Sequence, residues 1–233
     1  MNISNESNLY KDKIVYDITK FSHLDYPDHL ACIIWFSGCN MLCDFCYNKE
    51  IVFAKNADYD LNDVLEFLKQ RVGLLDGVVL SGGEATNYDL AELCREIKKL
   101  GFKIKLDTNG TNFQELQLLC DSNLIDYIAL DYKAPSYKYK QITKSSKYDA
   151  FSMSLQYLIS SHIDFEVRTT LHPDLLQEDD INHIIKDLKN RGYSHTYYIQ
   201  EFLYTGTHIG DIHMPVNTFD TSLLVDDIKI VYR

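Results

Sequence analysis

Three cysteines, Cys39, Cys43 and Cys46, stand in the stretch Gly38-Cys-Asn-Met-Leu-Cys-Asp-Phe-Cys-Tyr-Asn48, spaced C-x3-C-x2-C. Three thiolates this close together can hold three irons of a 4Fe–4S cluster and leave the fourth iron without a protein ligand. An open iron can bind a small molecule and deliver an electron to it. A structural zinc site wants four ligands, usually from two C-x2-C pairs, and only Cys43 and Cys46 form such a pair. A disulfide framework belongs to small secreted chains, and the N-terminus reads as lacking a secretory signal. Cys32, Cys94 and Cys120 lie in apolar or helical stretches and read as ordinary buried thiols.

Three further polar motifs follow apolar runs. Ser81-Gly82-Gly83-Glu84 offers two residues without Cβ atoms, so that backbone can approach a ligand closely; a plain turn would look the same. Asp107-Thr108-Asn109-Gly110 and Asp131-Tyr132-Lys133 each place a carboxylate at a strand end. Asp107 could cap a helix and Asp131 could be solvated. If both face one mouth, they repel by about 4 kcal/mol at 4 Å and an effective dielectric of 20. Lys133, two residues past Asp131, points to the same side of an extended chain and offsets part of that repulsion; a bound cation would offset more. Arg168 sits in an apolar strand, where it needs a partner, either a ligand carboxylate or an Asp.

The elements that must carry these motifs alternate. Strands are expected at 30–36, 77–80, 102–106, 127–130, 163–171 and 197–203, with further alternation over 228–232. Helices are expected between them. Asp60 caps one in which Leu61, Val64, Leu65, Leu68 and Val72 share a face. Gly101 stops the next, and Gly192 follows a helix with acids in its first turn and bases in its last. Residues 1–13 read as frayed; the lysine- and tyrosine-rich stretch 132–147 could meet an acidic partner, but such a run is more often a solvated loop. A βα unit taken about six times implies a parallel sheet with crossover helices, hence an α/β fold of the open, partial (βα)6 TIM-like barrel type. No linker-like stretch divides it, so 1–233 is expected to be a single domain, with a core at about 16–203 and a C-terminal extension at 204–233. The cysteines and the three motifs all follow strand carboxyl ends, the ligand-binding edge of parallel α/β folds.

Bulk properties narrow the function. With 233 residues and 45% hydrophobic content the chain can bury a sizeable core. A net charge of −11 argues against general nucleic-acid binding. No apolar run approaches the roughly 20 residues of a membrane span. Six cysteines without a signal sequence fit a reducing cytoplasm.

Taken together, these motifs resemble the radical S-adenosylmethionine (SAM) superfamily. Within it they look like the glycyl-radical enzyme activating enzymes, the activating proteins of anaerobic ribonucleoside-triphosphate reductase in particular. The stretches that carry the likeness are Leu24-Asp25-Tyr26-Pro27, Leu30-Ala31-Cys32, Gly38-Cys39, Leu80 to Thr86, Leu106 to Gly110, Leu130 to Pro135 and Arg168-Thr169-Thr170. The resemblance implies that Cys39, Cys43 and Cys46 ligate a 4Fe–4S cluster whose open iron is chelated by SAM. Gly82, Gly83 and Glu84 would bind the SAM amino group and Lys133 its carboxylate. Phe45 would lie near the adenine and Asn48 near the ribose or sulfonium. Asp107, Thr108 and Asp131 would hold a Na⁺ or K⁺ ion beside the SAM carboxylate. The chain departs from the family's habit at Tyr47, Ala85, Asp28 and Tyr204, where His, Pro, Gly and His are usual. None of these departures removes a cluster ligand.

The implied activity is reductive cleavage of SAM and removal of a glycine hydrogen from a partner protein, with flavodoxin or ferredoxin as reductant. Hydrogen abstraction requires no acid–base residue. The segment 204–210 is expected to be flexible and able to fold over a docked loop. Two other readings compete: a radical SAM enzyme acting on a small molecule or peptide, and a non-catalytic iron–sulfur electron carrier. The carrier would leave the Gly-Gly-Glu and Asp-x-Lys motifs without a role.

Overall fold

The computed structural model describes residues 12–233, so the polar N-terminal stretch lies, up to residue 11, outside the described residues. The chain divides into two compact units. Of the described residues, the first comprises 12–39, 50–107 and 118–126; the second comprises 40–49, 108–117 and 127–233. The division interleaves along the chain, and for that reason no linker marks it in the sequence.

In the first unit, β1 (Val15–Ser22) pairs antiparallel with β2 (Ala31–Phe36), and β2 pairs in parallel with β3 (Gly77–Gly82). Next comes β4 (Lys103–Thr108), parallel to β3. β2 is an almost continuously buried run, as expected of a strand covered on both faces. β1 was not foreseen: its half-exposed, polar-rich sequence VYDITKFS is that of an edge strand with one wet face. After the short α1 (Lys49–Val52), α2 (Leu61–Lys69) starts at Asp60, whose carboxylate accepts from the Asp63 amide while Asp63 returns the bond. This reciprocal cap satisfies two N-terminal amides. Leu61, Val64 and Leu68 are buried, whereas Val72 lies beyond the helix and is exposed. α3 (Ala91–Lys99) ends before Gly101, which adopts φ +92. α4 (Phe113–Asp121) completes the helices ahead of the next strand.

The second unit carries β5 (Tyr127–Asp131), β6 (Asp164–Leu171), β7 (Tyr197–Glu201) and β8 (Ile230–Tyr232), all parallel and in that order. Its helices are α5 (Ser136–Thr143), α6 (Tyr148–Ser160) and α7 (Glu178–Arg191). The stretch expected as a solvated loop, 132–147, instead contains α5. Tyr139, Ile142 and Thr143 are buried on one face of that helix, at i, i+3 and i+4, and Tyr132 is buried just before it. The lysines lie along the wetter side, where Lys138 pairs with Asp180 at 2.6 Å and Lys144 with Asp44 at 2.7 Å. No helix among the described residues is long and apolar enough to cross a membrane.

Candidate cofactor site

In the first unit the Gly-Gly-Glu motif is built against the strand end that leads into the cysteines. β2 and β3 run in register through Phe36 and Gly82. Beyond them the Gly83 amide donates to the Phe36 carbonyl and the Glu84 amide to the Gly38 carbonyl, each at 2.9 Å. A Cβ on Gly83 would stand 1.8 Å from the Gly38 oxygen, and one on Gly82, at φ +121, would stand 2.3 Å from the Phe36 nitrogen and oxygen. The glycines are therefore required first by the close approach of the protein's own backbone. Glu84 is buried, and its Oε1 accepts from the Thr86 hydroxyl at 2.6 Å and the Thr86 amide at 3.3 Å, capping the 3-10 turn Ala85–Asn87.

Asp107, also in this unit, accepts from Lys105 Nζ at 2.6 Å and from Ser81 Oγ at 3.2 Å. Lys105 is 2% exposed, and a lysine is buried this deeply when it has a charge partner. Sequence reasoning missed both partners. The signal for Lys105 was its spacing of two from Asp107 on one strand, the same rule that linked Lys133 to Asp131.

In the second unit the segment 40–49 is held at several points. The Leu42 and Asp44 amides donate to the carbonyls of Thr143 and Ile142 at the end of α5, each at 3.0 Å. Lys144, in the left-handed conformation that ends this helix, reaches the Asp44 carboxylate. The Cys46 amide donates to the Cys43 carbonyl, closing a tight turn. The segment 204–210, expected to be flexible, docks here: the Ile209 and Gly210 amides donate to the Cys46 and Asp44 carbonyls, each at 3.0 Å. Cys43 and Phe45 are buried, Cys46 and Asn48 half-buried, and Tyr47 exposed.

Asp131, Lys133 and Arg168 converge in the same unit. Asp131 and Arg168 are register partners across β5 and β6. Arg168 Nε donates to Asp131 Oδ1 at 2.5 Å and Lys133 Nζ to Oδ2 at 2.9 Å. Arg168 thus carries an Asp partner, one of the two roles its strand position allowed. Burial pushes the Asp131 pKa up, but Arg168 and Lys133 outweigh it and hold the carboxyl well below the usual carboxylate range. Burial likewise works against the Lys133 cation, and Asp131 outweighs it, so its pKa rises. Lys133 Nζ lies 5.5 Å from the centre of the Phe45 ring, within cation–π range. Asp131 thus has two cations, Arg168 and Lys133, and Asp107 in the first unit has its own in Lys105.

Burial pushes the Cys43 thiol up to about 12, with the nearby Lys133 charge pulling the other way. Cys46 is raised for the same reason, again opposed by Lys133, and its thiolate is favoured by the Asn48 amide. Buried neutral thiols become good ligands when a cationic metal centre replaces their protons. Among the described residues no three His, Cys, Asp or Glu side chains gather about a single ion position. A 4Fe–4S cluster asks something different, since each thiolate takes its own iron. Within the second unit, Cys43 and Cys46 with an adjoining aromatic and a lysine beside them fit part of the ligation of such a cluster and an anionic ligand group next to it.

Comparison with known proteins agrees with this chemistry. A Methanocaldococcus jannaschii protein, provisionally named a glycyl-radical enzyme activating enzyme, is 32% identical over 200 residues, covering 81% of this chain and 80% of that one. The 7-carboxy-7-deazaguanine synthase of Rickettsia prowazekii is 33% identical over 95 residues, 39% of each chain. Among solved structures, native anSMEcpe with bound AdoMet superposes with a TM-score of 0.58 at 17% identity, over 72% of this chain; the match spans about half, 49%, of that longer chain. The family model of the radical SAM superfamily matches residues 33–199, a span that holds the three cysteines, the Gly-Gly-Glu motif, the Asp107 and Asp131 motifs and Arg168, and the chain belongs to that superfamily.

Proposed function

We propose that this protein is a radical SAM activating enzyme that generates a glycyl radical on a partner protein, with anaerobic ribonucleotide reductase as the favoured partner. In this reading Cys39, Cys43 and Cys46 would hold the cluster, and the cluster would supply the electron that reduces the SAM sulfonium. The C5′–S bond then breaks, leaving methionine and a 5′-deoxyadenosyl radical. That radical takes a hydrogen atom from a glycine Cα, giving 5′-deoxyadenosine and the glycyl radical. Flavodoxin or ferredoxin would supply the electron.

The chain's own residues bind and orient. Lys133, pinned by Asp131 at 2.9 Å, keeps two further donors for the SAM carboxylate. Gly82, Gly83 and Glu84 would present backbone and carboxylate to its amino group. Phe45 would flank the adenine and Asn48 the ribose. Asp107, Thr108 and Asp131 would coordinate a Na⁺ or K⁺ ion beside the SAM carboxylate.

The single observation that carries this reading is the second unit's juxtaposition of the Cys43–Cys46 turn with Phe45, Lys133 and the Asp131–Arg168 pair. The 32% identity to a protein bearing the activating-enzyme name supports a glycyl-radical protein as the partner. A second reading, a radical SAM enzyme acting on a small molecule or peptide, is favoured by the shorter match to the deazaguanine synthase. The test is anaerobic incubation of the reduced protein with SAM and candidate glycyl-radical proteins, read by electron paramagnetic resonance. A glycine-centred doublet on a partner is expected. Release of 5′-deoxyadenosine with no such radical on any partner would turn the assignment to the small-molecule reading.

A further inference from the structure

Between the first two cysteines lies Asn40, and its carboxamide is part of a closed ring of side-chain hydrogen bonds. Asn40 Nδ2 donates to Thr111 Oγ1 at 2.9 Å. The Thr111 hydroxyl donates to Asn109 Oδ1 at 2.7 Å. Asn109 Nδ2 donates back to Asn40 Oδ1 at 2.8 Å. The Thr111 amide adds a fourth bond, to Asn109 Oδ1 at 3.0 Å. Asn109 and Thr111 are each 4% exposed.

Each member of the ring gives one hydrogen bond and takes one, in a single rotational sense. Turning the Asn40 amide would set its NH₂ against that of Asn109. Turning the Asn109 amide would set its NH₂ against the Thr111 amide. Rings of this kind reinforce their own bonds in a buried setting, and a half-satisfied one is costly. The ring therefore permits one placement of the Asn40 side chain, and through it one path for the backbone that follows Cys39. The downstream part of the loop is held independently, by the end of α5 and by the Ile209 and Gly210 amides. The ring grips the upstream end, next to Cys39, and draws that grip from the Asp-Thr-Asn-Gly turn, whose Asn has no role in the functional reading above.

We propose that Asn40, Asn109 and Thr111 are positioning residues that fix the start of the 40–46 loop before iron arrives, so that its thiols meet the cluster pre-arranged. This rests on the reading of Cys39, Cys43 and Cys46 as cluster ligands. None of the three residues touches the reacting atoms. They act through the loop backbone.

The test uses the full-length protein in metal-free and reconstituted forms. Cys43 is 6% exposed, so its alkylation in the metal-free protein reports opening of the loop. Thr111→Val, which strands the half-buried Asn40 Nδ2, should raise that rate by about tenfold, and Asn109→Ala, which removes the partner of Asn40 Oδ1, the Thr111 hydroxyl and the Thr111 amide, by at least about as much. Thr111→Ser keeps the hydroxyl and should react as the wild type. Tyr193→Phe, which loses a buried hydroxyl bonded to the Thr196 carbonyl and the Val167 amide, is the control for general destabilisation. After reconstitution, Thr111→Val and Asn109→Ala should lose iron to a ferrous chelator faster and show shifted g values in the reduced state, again restored in Thr111→Ser. The proposal is overturned if both variants match Tyr193→Phe in alkylation, iron loss and g values and differ only in unfolding midpoint. If the wild type forms no 4Fe–4S cluster at all, the cofactor reading itself fails and the positioning role falls with it. The alkylation series still shows, separately, whether the ring holds the loop.

Discussion

Replacing Gly83 by Ala is the sharpest perturbation of the first unit, because it adds one methyl and no charge. That methyl would lie 1.8 Å from the Gly38 oxygen, 2.5 Å from the Gly38 carbonyl carbon and 3.1 Å from the Cys39 nitrogen. All three are backbone atoms, so no side chain can swing aside. Bringing the first contact to 3.0 Å requires a retreat of about 1.2 Å by the peptide that leads into Cys39. Overpacking of this kind costs about 1–3 kcal/mol. The bonds from the Gly83 amide to Phe36 and from the Glu84 amide to Gly38 would be strained or lost, at about 1 kcal/mol each. The sum is roughly 3–5 kcal/mol, and at a urea slope of about 2–3 kcal/mol/M the midpoint should fall by about 1–2.5 M. Gly101→Ala is the matched control. Gly101 has φ +92 but nothing within 4 Å of its added Cβ, so it carries only the left-handed backbone cost of about 1–2 kcal/mol. The assay is urea unfolding of the metal-free proteins, followed by iron content and SAM binding after anaerobic reconstitution. Gly83→Ala should be the less stable variant and the one that loses iron and SAM affinity. If it unfolds no earlier than Gly101→Ala and loads iron and binds SAM as the wild type does, the argument that Gly83 exists to admit the Gly38–Cys39 backbone is refuted.

Other perturbations test the remaining parts of the site. Changing any of Cys39, Cys43 or Cys46 to Ala should abolish the iron–sulfur absorption of the reconstituted protein, while Cys94→Ala should not. A stoichiometric zinc site with no iron–sulfur absorption would contradict the cluster assignment. Lys133→Ala should weaken SAM binding more than it alters the cluster spectrum, since it removes a charged carboxylate partner and no iron ligand; calorimetric titration with unchanged affinity would count against its placement. The Asp131 pKa is depressed in the folded state by Arg168 and Lys133 acting against burial. The stability from that pairing is therefore fully present above the ordinary carboxylate pKa of about 4 and is lost as pH falls below it. In acid unfolding followed by circular dichroism, Asp131→Asn should lack that part of the pH dependence, and an unchanged slope would show that the pairing contributes nothing. Finally, SAM cleavage should rise with Na⁺ or K⁺ above an ionic-strength control made with a bulky organic cation. Indifference to the ion, together with a harmless Asp131→Asn in the same assay, would remove the cation from the site.

Much of the fold was legible because buried parallel strands read as apolar runs and their helices as amphipathic ones. The Asp60 cap and the stops at Gly101 and Gly192 could be read from residue type, since each follows from local chemistry. β1 escaped notice because an edge strand with one wet face has no strong signature. α5 was taken for a loop because its lysines masked the buried spacing of Tyr139, Ile142 and Thr143.

The sequence by itself determined the chemistry available: three cysteines at cluster spacing, a Gly-Gly-Glu turn, and the paired Asp131 and Lys133, whose alternation along an extended chain already placed them on one side. Only the tertiary structure decided how these groups are held. The Ser81 bond to Asp107, the Asp131 partner of Arg168, the backbone that makes Gly82 and Gly83 obligatory, and the ring joining Asn40 to Asn109 and Thr111 each involve groups from separate segments. Such contacts leave no periodicity in the sequence, because their distances are set by strand register and loop packing and not by spacing along the chain.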